Sequence, residues 1–151
     1  MFFNHNIALL KQHVSSKEVA FQLLSEKLVA TQCVNQDFLP NIIKREILFP
    51  TGLEINGVGV AIPHTDSEYV MASQVAFMSL AEPLPFIQMG TSDQEVEVSL
   101  LFMLALKEPH EQLEMLQRLI EMFQQEGVLE ALLGAETKEV YQKIIHKYGL
   151  R

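Results

Sequence analysis

Apolar positions near the start of the chain recur at helical spacing. Val19, Ala20, Leu23, Leu24 and Leu28 share one stripe behind Ser15-Ser16-Lys17-Glu18, where Ser15 and Glu18 have the spacing of a capping box. A second helix is predicted over 38–48, with Pro40 tolerated in its first turn and Phe49-Pro50-Thr51-Gly52 ending it. The pattern then changes. Residues 58–62 are short, apolar and rich in β-branched side chains, and Pro63 stops them. Further strands are predicted at 74–80 and 84–88. Residues 95–98 alternate before an unbroken apolar run at 100–106, as in a strand entering a sheet covered on both faces. Pro109 opens a helix to residue 125, with Leu113, Leu116, Leu119, Ile120 and Phe123 inward. A short helix over 128–133 ends at Gly134, and a last one runs from a Thr137 cap to near Gly149. The order is helix, helix, strands, helix, helix. It predicts an α/β fold, a single three-layer α/β/α domain over residues 1–151 with a mixed β-sheet and helices on both faces.

The 151 residues are 48% apolar, enough to build a core without disulfide or metal staples. Eleven basic residues against nineteen acidic ones give a net charge of −8. That balance argues against a nucleic-acid binder and against a polybasic membrane anchor. The apolar run at 100–106 is far shorter than the roughly 18–20 residues of a membrane-spanning helix. The first six residues, Met-Phe-Phe-Asn-His-Asn, lack the basic region and cleavage site of a secretory signal. A soluble cytoplasmic protein is expected. The single cysteine, Cys33, has no disulfide or metal-spaced partner and reads as an inert helix-end residue.

Five histidines are present, and none forms a metal pattern. His5, His13 and His146 lie in segments that read as exposed helix or terminus. No HExxH, CxxC, GxSxG or GxxxxGK[ST] motif occurs, so neither a metal nor a cofactor is expected. A histidine-ligated metal hydrolase is disfavoured for the same reason. His64 stands apart, because it follows an apolar strand and a φ-fixing proline in Ala61-Ile62-Pro63-His64-Thr65-Asp66. Thr65, Asp66 or Ser67 could cap a short helix there and bring backbone N–H groups near the ring. On spacing alone, a structural role and an anion-handling role both fit.

Lys44-Arg45-Glu46, Pro50-Thr51-Gly52 and Gly59-Val60-Ala61-Ile62-Pro63-His64, taken together, carry a resemblance. The chain resembles the enzyme IIA domains of the bacterial phosphoenolpyruvate-dependent sugar phosphotransferase system, fructose–mannitol class. Phe49-Pro50-Thr51-Gly52 and Pro63-His64-Thr65-Asp66 lean toward the galactitol-like branch. Pro85-Phe86-Ile87-Gln88-Met89-Gly90, residues 98–105 and Glu114-Met115-Leu116 extend the likeness over about residues 7–148.

The resemblance implies a three-layer α/β/α fold and a phosphoryl carrier. It implies that His64 takes phosphate from HPr at Nε2, with Nδ1 hydrogen-bonded to the protein. The group then passes to a cysteine of the cognate enzyme IIB, which serves a membrane enzyme IIC. Arg45, otherwise readable as a solvated helix charge, becomes the clamp for phosphoryl oxygens. A second active-site histidine is implied ahead of a Leu-x-x-Leu pattern. His110 precedes Leu113-Glu114-Met115-Leu116, but alignment on Leu113 places Gln112 there instead, so both stay open. A regulatory phosphohistidine protein of the same fold is the alternative to a transport role. The carrier's docking rim is expected at Ile62, Pro63 and the segment 86–89.

Overall fold

The computed structural model describes residues 1–151. In chain order it has β1 (Ala8–Gln12), α1 (Lys17–Ala30), α2 (Phe38–Leu48), β2 (Gly52–Ile55) and β3 (Val58–Ala61). After a single 3-10 turn at Ser67–Tyr69 come β4 (Gln74–Ile87), β5 (Glu95–Ala105), α3 (Pro109–Phe123), α4 (Val128–Gly134) and α5 (Lys138–Lys147). One five-stranded sheet runs β1-β4-β5-β3-β2, parallel at β1/β4 and β3/β5, antiparallel at β4/β5 and β2/β3. The mixed sheet and the helices on both faces are as expected.

The continuous apolar run of β5 has a simple cause. Leu101, Met103 and Ala105 point into a core shared with Phe21, Leu24 and Leu28 of α1 and Phe38 and Ile42 of α2. Leu100, Phe102 and Leu104 point the other way, toward Leu119 and Phe123 of α3, Leu132 of α4 and Tyr141 of α5. Successive strand residues face opposite sides, so a strand buried on both must be apolar at every position. Phe77 of β4 completes the second core, 4.8 Å from Phe102 and stacked on Tyr141 at 4.6 Å between centroids.

Several details differ from the expectation. Two strands were not anticipated. β1 is five residues long with Lys11 at φ 52°, and its pairing shifts between Leu9 and Gln12, so it has no regular alternation to read. β2 forms a hairpin with β3 through Asn56-Gly57, whose φ values of 51° and 82° suit a tight hairpin turn. The two predicted strands 74–80 and 84–88 are one strand, β4, interrupted by a register shift between Ser79 and Leu84. The cap of α1 is Ser16 rather than Ser15, its hydroxyl accepting the Val19 N–H. Thr137 caps α5 as expected.

The largest difference for the site is the rotation of α3. Leu113 is 63% exposed, while Met115, Leu119, Met122 and Phe123 are buried. Followed upward at i, i+3, i+4 spacing, that stripe reaches Gln112 instead of Leu113.

Gly59 anchors the strand that leads to His64. It lies against β5, where an added Cβ would overlap the Glu97 carbonyl and sit 2.9 Å from Val98 Cα. Both obstacles are backbone and cannot swing aside. Gly59→Ala should destabilise the protein by about 1–3 kcal/mol or more, a fall of roughly 3–10 °C in Tm. A thermal melt matching the wild type would show that β3 and β5 can separate freely.

Candidate functional site

His64 sits just beyond the end of β3, where the chain leaves the sheet between β2 and β5. Its side chain is half-buried. The ring Nδ1 lies 2.9 Å from the Ile62 carbonyl. A carbonyl only accepts, so Nδ1 carries the proton and Nε2 keeps the ring's free lone pair. The backbone on either side is tied as well. Leu104 N–H of β5 donates to the Pro63 carbonyl at 2.9 Å, and Gln112 Nε2 of α3 donates to the Thr65 carbonyl at 2.9 Å.

Electrostatics favour the neutral ring. Burial pushes the His64 pKa below 6.5 and Arg45 nearby lowers it further, while the Ile62 hydrogen bond and Asp66 oppose them. A nucleophilic imidazole must be unprotonated. Any reaction that needs the free Nε2 lone pair should therefore fade through a midpoint below pH 6.5, as the ring protonates. NMR titration of the His64 ring checks this directly, and a midpoint at or above 6.5 would contradict it.

Arg45 lies in the last turn of α2, with its side chain about one-third exposed. Its Nη1 is 3.4 Å from Asp66 Oδ1, and its guanidinium rests 4.6 Å from the Phe49 ring centroid. Its Nε is buried without a hydrogen-bond partner. Asp66 is largely exposed, so this long ion pair holds Arg45 only weakly. Most guanidinium donors are thus uncommitted beside the loop that carries His64. A hollow of about 170 Å³ lies here, between Lys44, Arg45, Leu48 and Phe49 of the α2 end and Thr65 and Asp66 of the loop.

The two candidates on α3 separate clearly. His110 is exposed in the first turn of α3. At 100° per residue it points about 200° away from Gln112 around the helix. The structure joins Gln112, and not His110, to the His64 loop. The expected short helix beyond His64 is only the three-residue turn Ser67–Tyr69, with no side-chain cap. His5, His13 and His146 are exposed, but His13 follows β1, not a helix, and meets Glu82. Cys33 is fully buried. No three His, Cys, Asp or Glu side chains converge in a way that would hold an ion.

Part of the expected rim is buried, while Ile87, Gln88 and Met89 keep some exposure. Ile62 and Phe86 are 0% and 1% exposed, and Pro63 is buried. The exposed apolar side chains that line the hollow beside the site are Leu48 and Phe49, and Ile47 is exposed next to them at the end of α2. The signal was available in the sequence: three apolar residues in a row at a helix end exceed what one buried stripe can use.

Residues 1–148 match the family described as "Phosphoenolpyruvate-dependent sugar phosphotransferase system, EIIA 2". The chain belongs to this family. The PTS system galactitol-specific EIIA component of Escherichia coli (strain K12) is 27% identical over 125 residues, covering 81% of this chain and 83% of that one. The PTS system fructose-specific EIIA component of Haloferax volcanii is 30% identical over 138 residues, covering 90% and 86%. Among solved structures, the complex of enzyme IIAMTL and phosphorylated enzyme IIBMTL from Escherichia coli superposes with a TM-score of 0.75. It shares 22% identity and covers 94% of this chain and 95% of that one. EIIA proteins carry phosphoryl groups through a phosphohistidine, so this EIIA chain is a phosphotransferase component of a sugar phosphotransferase system. No helix in it is long and apolar enough to cross a membrane.

Proposed function

We propose that this EIIA chain accepts phosphate on His64 Nε2 from phosphorylated HPr and delivers it to a cysteine of its cognate enzyme IIB. The observation that carries the reading is the Nδ1 to Ile62 carbonyl bond, which leaves Nε2 as the nucleophile. In the first step the Nε2–P bond forms as the N–P bond of the donor phosphohistidine breaks, the donor ring leaving with the electron pair. In the second, the thiolate of enzyme IIB attacks phosphorus and His64 leaves as a neutral imidazole. Arg45 serves as the clamp on the equatorial oxygens. Gln112 takes the second position through the Thr65 carbonyl, and His110 has no part in the step. The whole of residues 1–151 acts as one EIIA unit in the cytoplasm. The apolar edge of Leu48 and Phe49 receives the face of the donor around its own phosphohistidine.

The likeness to the galactitol-specific component favours galactitol or a related polyol as the transported compound. Enzyme IIC would serve as the membrane component of that system. Incubation with phosphoenolpyruvate, enzyme I and HPr should place acid-labile phosphate on His64, and adding the cognate enzyme IIB should remove it. A protein that stays unlabelled under these conditions is not a carrier fed by HPr. One that takes label but passes none to any enzyme IIB would have a regulatory role instead.

A further inference from the structure

Glu46 and Thr51 are buried polar residues, 5% and 3% exposed, that the phosphoryl chemistry does not touch. Their hydrogen bonds form a chain that ends at His64. Thr51 N–H donates to Glu46 Oε2 at 2.9 Å, and the Thr51 hydroxyl donates to Glu46 Oε1 at 2.8 Å. With its proton committed, the hydroxyl oxygen accepts the Ile62 N–H at 3.2 Å. Ile62 lies one residue past β3, where the β2/β3 ladder ends at the Gly52–Ala61 pair. The Thr51 side chain therefore takes over where the ladder stops. The Ile62 carbonyl then accepts His64 Nδ1–H at 2.9 Å.

We propose that Glu46, acting through Thr51, is the positioning residue of the phosphoryl acceptor. It fixes the Ile62 peptide so that the carbonyl holds His64 in the Nδ1–H tautomer. The inference rests on His64 being the acceptor. Its chemical reason is specific, because an unconstrained neutral imidazole favours the Nε2–H tautomer, in which the reacting nitrogen carries the proton. Which tautomer a histidine adopts is set by the bond its other nitrogen makes. A carboxyl group buried here is costly. Burial raises the Glu46 pKa above 4.5, opposed by the two Thr51 bonds and more weakly by Lys17. Two hydrogen bonds to one threonine, aimed at the last peptide before the active loop, give that cost a purpose. The pairing also explains why Arg45 and Glu46 stand side by side: successive helix positions point one group at the phosphoryl site and the other at the support beneath it.

The test uses the full chain. Thr51→Val keeps the side-chain shape and removes the hydroxyl, Thr51→Ser restores it, and Glu46→Gln keeps the volume but loses one acceptor. Two readouts apply: the 15N NMR pattern of the His64 ring, and the rate of phosphate uptake from phosphorylated HPr. In Thr51→Val the ring should move toward the Nε2–H pattern, and the saturating rate should fall about tenfold with little change in KM. Thr51→Ser should restore both, and Glu46→Gln should lie between. A folded Thr51→Val with the wild-type ring pattern and saturating rate overturns the proposal, as does failure of Thr51→Ser to rescue. If Thr51→Val does not fold, Glu46→Gln decides by the same readouts, and a wild-type pattern and rate there overturn it. If the wild type takes no phosphate on His64, the acceptor assignment falls. The ring pattern in the variants still judges the positioning chain on its own.

Discussion

Replacing His64 with alanine should abolish phosphate uptake from phosphorylated HPr and leave the fold standing. The ring is half-buried and makes a single hydrogen bond, to Ile62, so its loss should cost about 0.5–1.5 kcal/mol, a fall of roughly 2–6 °C in Tm. The chemical loss is complete because no other side chain takes its place. Cys33 is sealed in the core, and His110 projects from α3 away from the loop. Labelling with phosphoenolpyruvate, enzyme I and HPr measures the effect. Incorporation at the wild-type rate in His64→Ala would move the phosphorylated atom to another residue.

Arg45→Lys should slow transfer by about one to two orders of magnitude despite keeping the charge. Lysine cannot present the guanidinium fork to two oxygens, and a charge-assisted hydrogen bond contributes roughly 1.5–3 kcal/mol. At 1.36 kcal/mol per tenfold, one such bond lost in the transition state accounts for the range. The geometry sharpens the expectation. Arg45 is steered by the Phe49 ring at 4.6 Å and by Asp66 at 3.4 Å, and its Nε has no partner. A lysine ammonium would lose the stacked planar orientation as well as the second prong. Stopped-flow or quench measurement of single-turnover transfer is the check. If Arg45→Lys and Arg45→Ala both match the wild type, Arg45 is a surface charge held by Asp66.

Much of this site was readable from residue order, and the reasons are local. Pro63 cannot donate to the ladder, so the position of His64 just past the end of β3 followed from the chain itself. The apolar run of β5 announced a sheet covered on both faces. What escaped notice depended on contacts distant in sequence. β1 has no periodic pattern because an irregular edge strand needs none, and β2 has only four residues to show one. Sequence left His110 and Gln112 both open, and only the turn of α3, which places Leu113 outside and joins Gln112 to the Thr65 carbonyl, separates them. The Glu46–Thr51–Ile62 chain joins a helix, a strand start and a strand end, and no spacing rule links those three.

The loop around His64 is tethered at three points in quick succession. The Ile62 carbonyl is held by the ring itself, the Pro63 carbonyl by β5 and the Thr65 carbonyl by α3. A backbone fastened in this way has little freedom left to give up when phosphate arrives or departs. Loaded and empty carriers should then share one outline, and the difference a partner meets at this spot is the phosphoryl group's own charge of about −1.5 to −2. Loading and unloading become mirror images run on the same rigid seat. Neither direction should then have a conformational toll of its own.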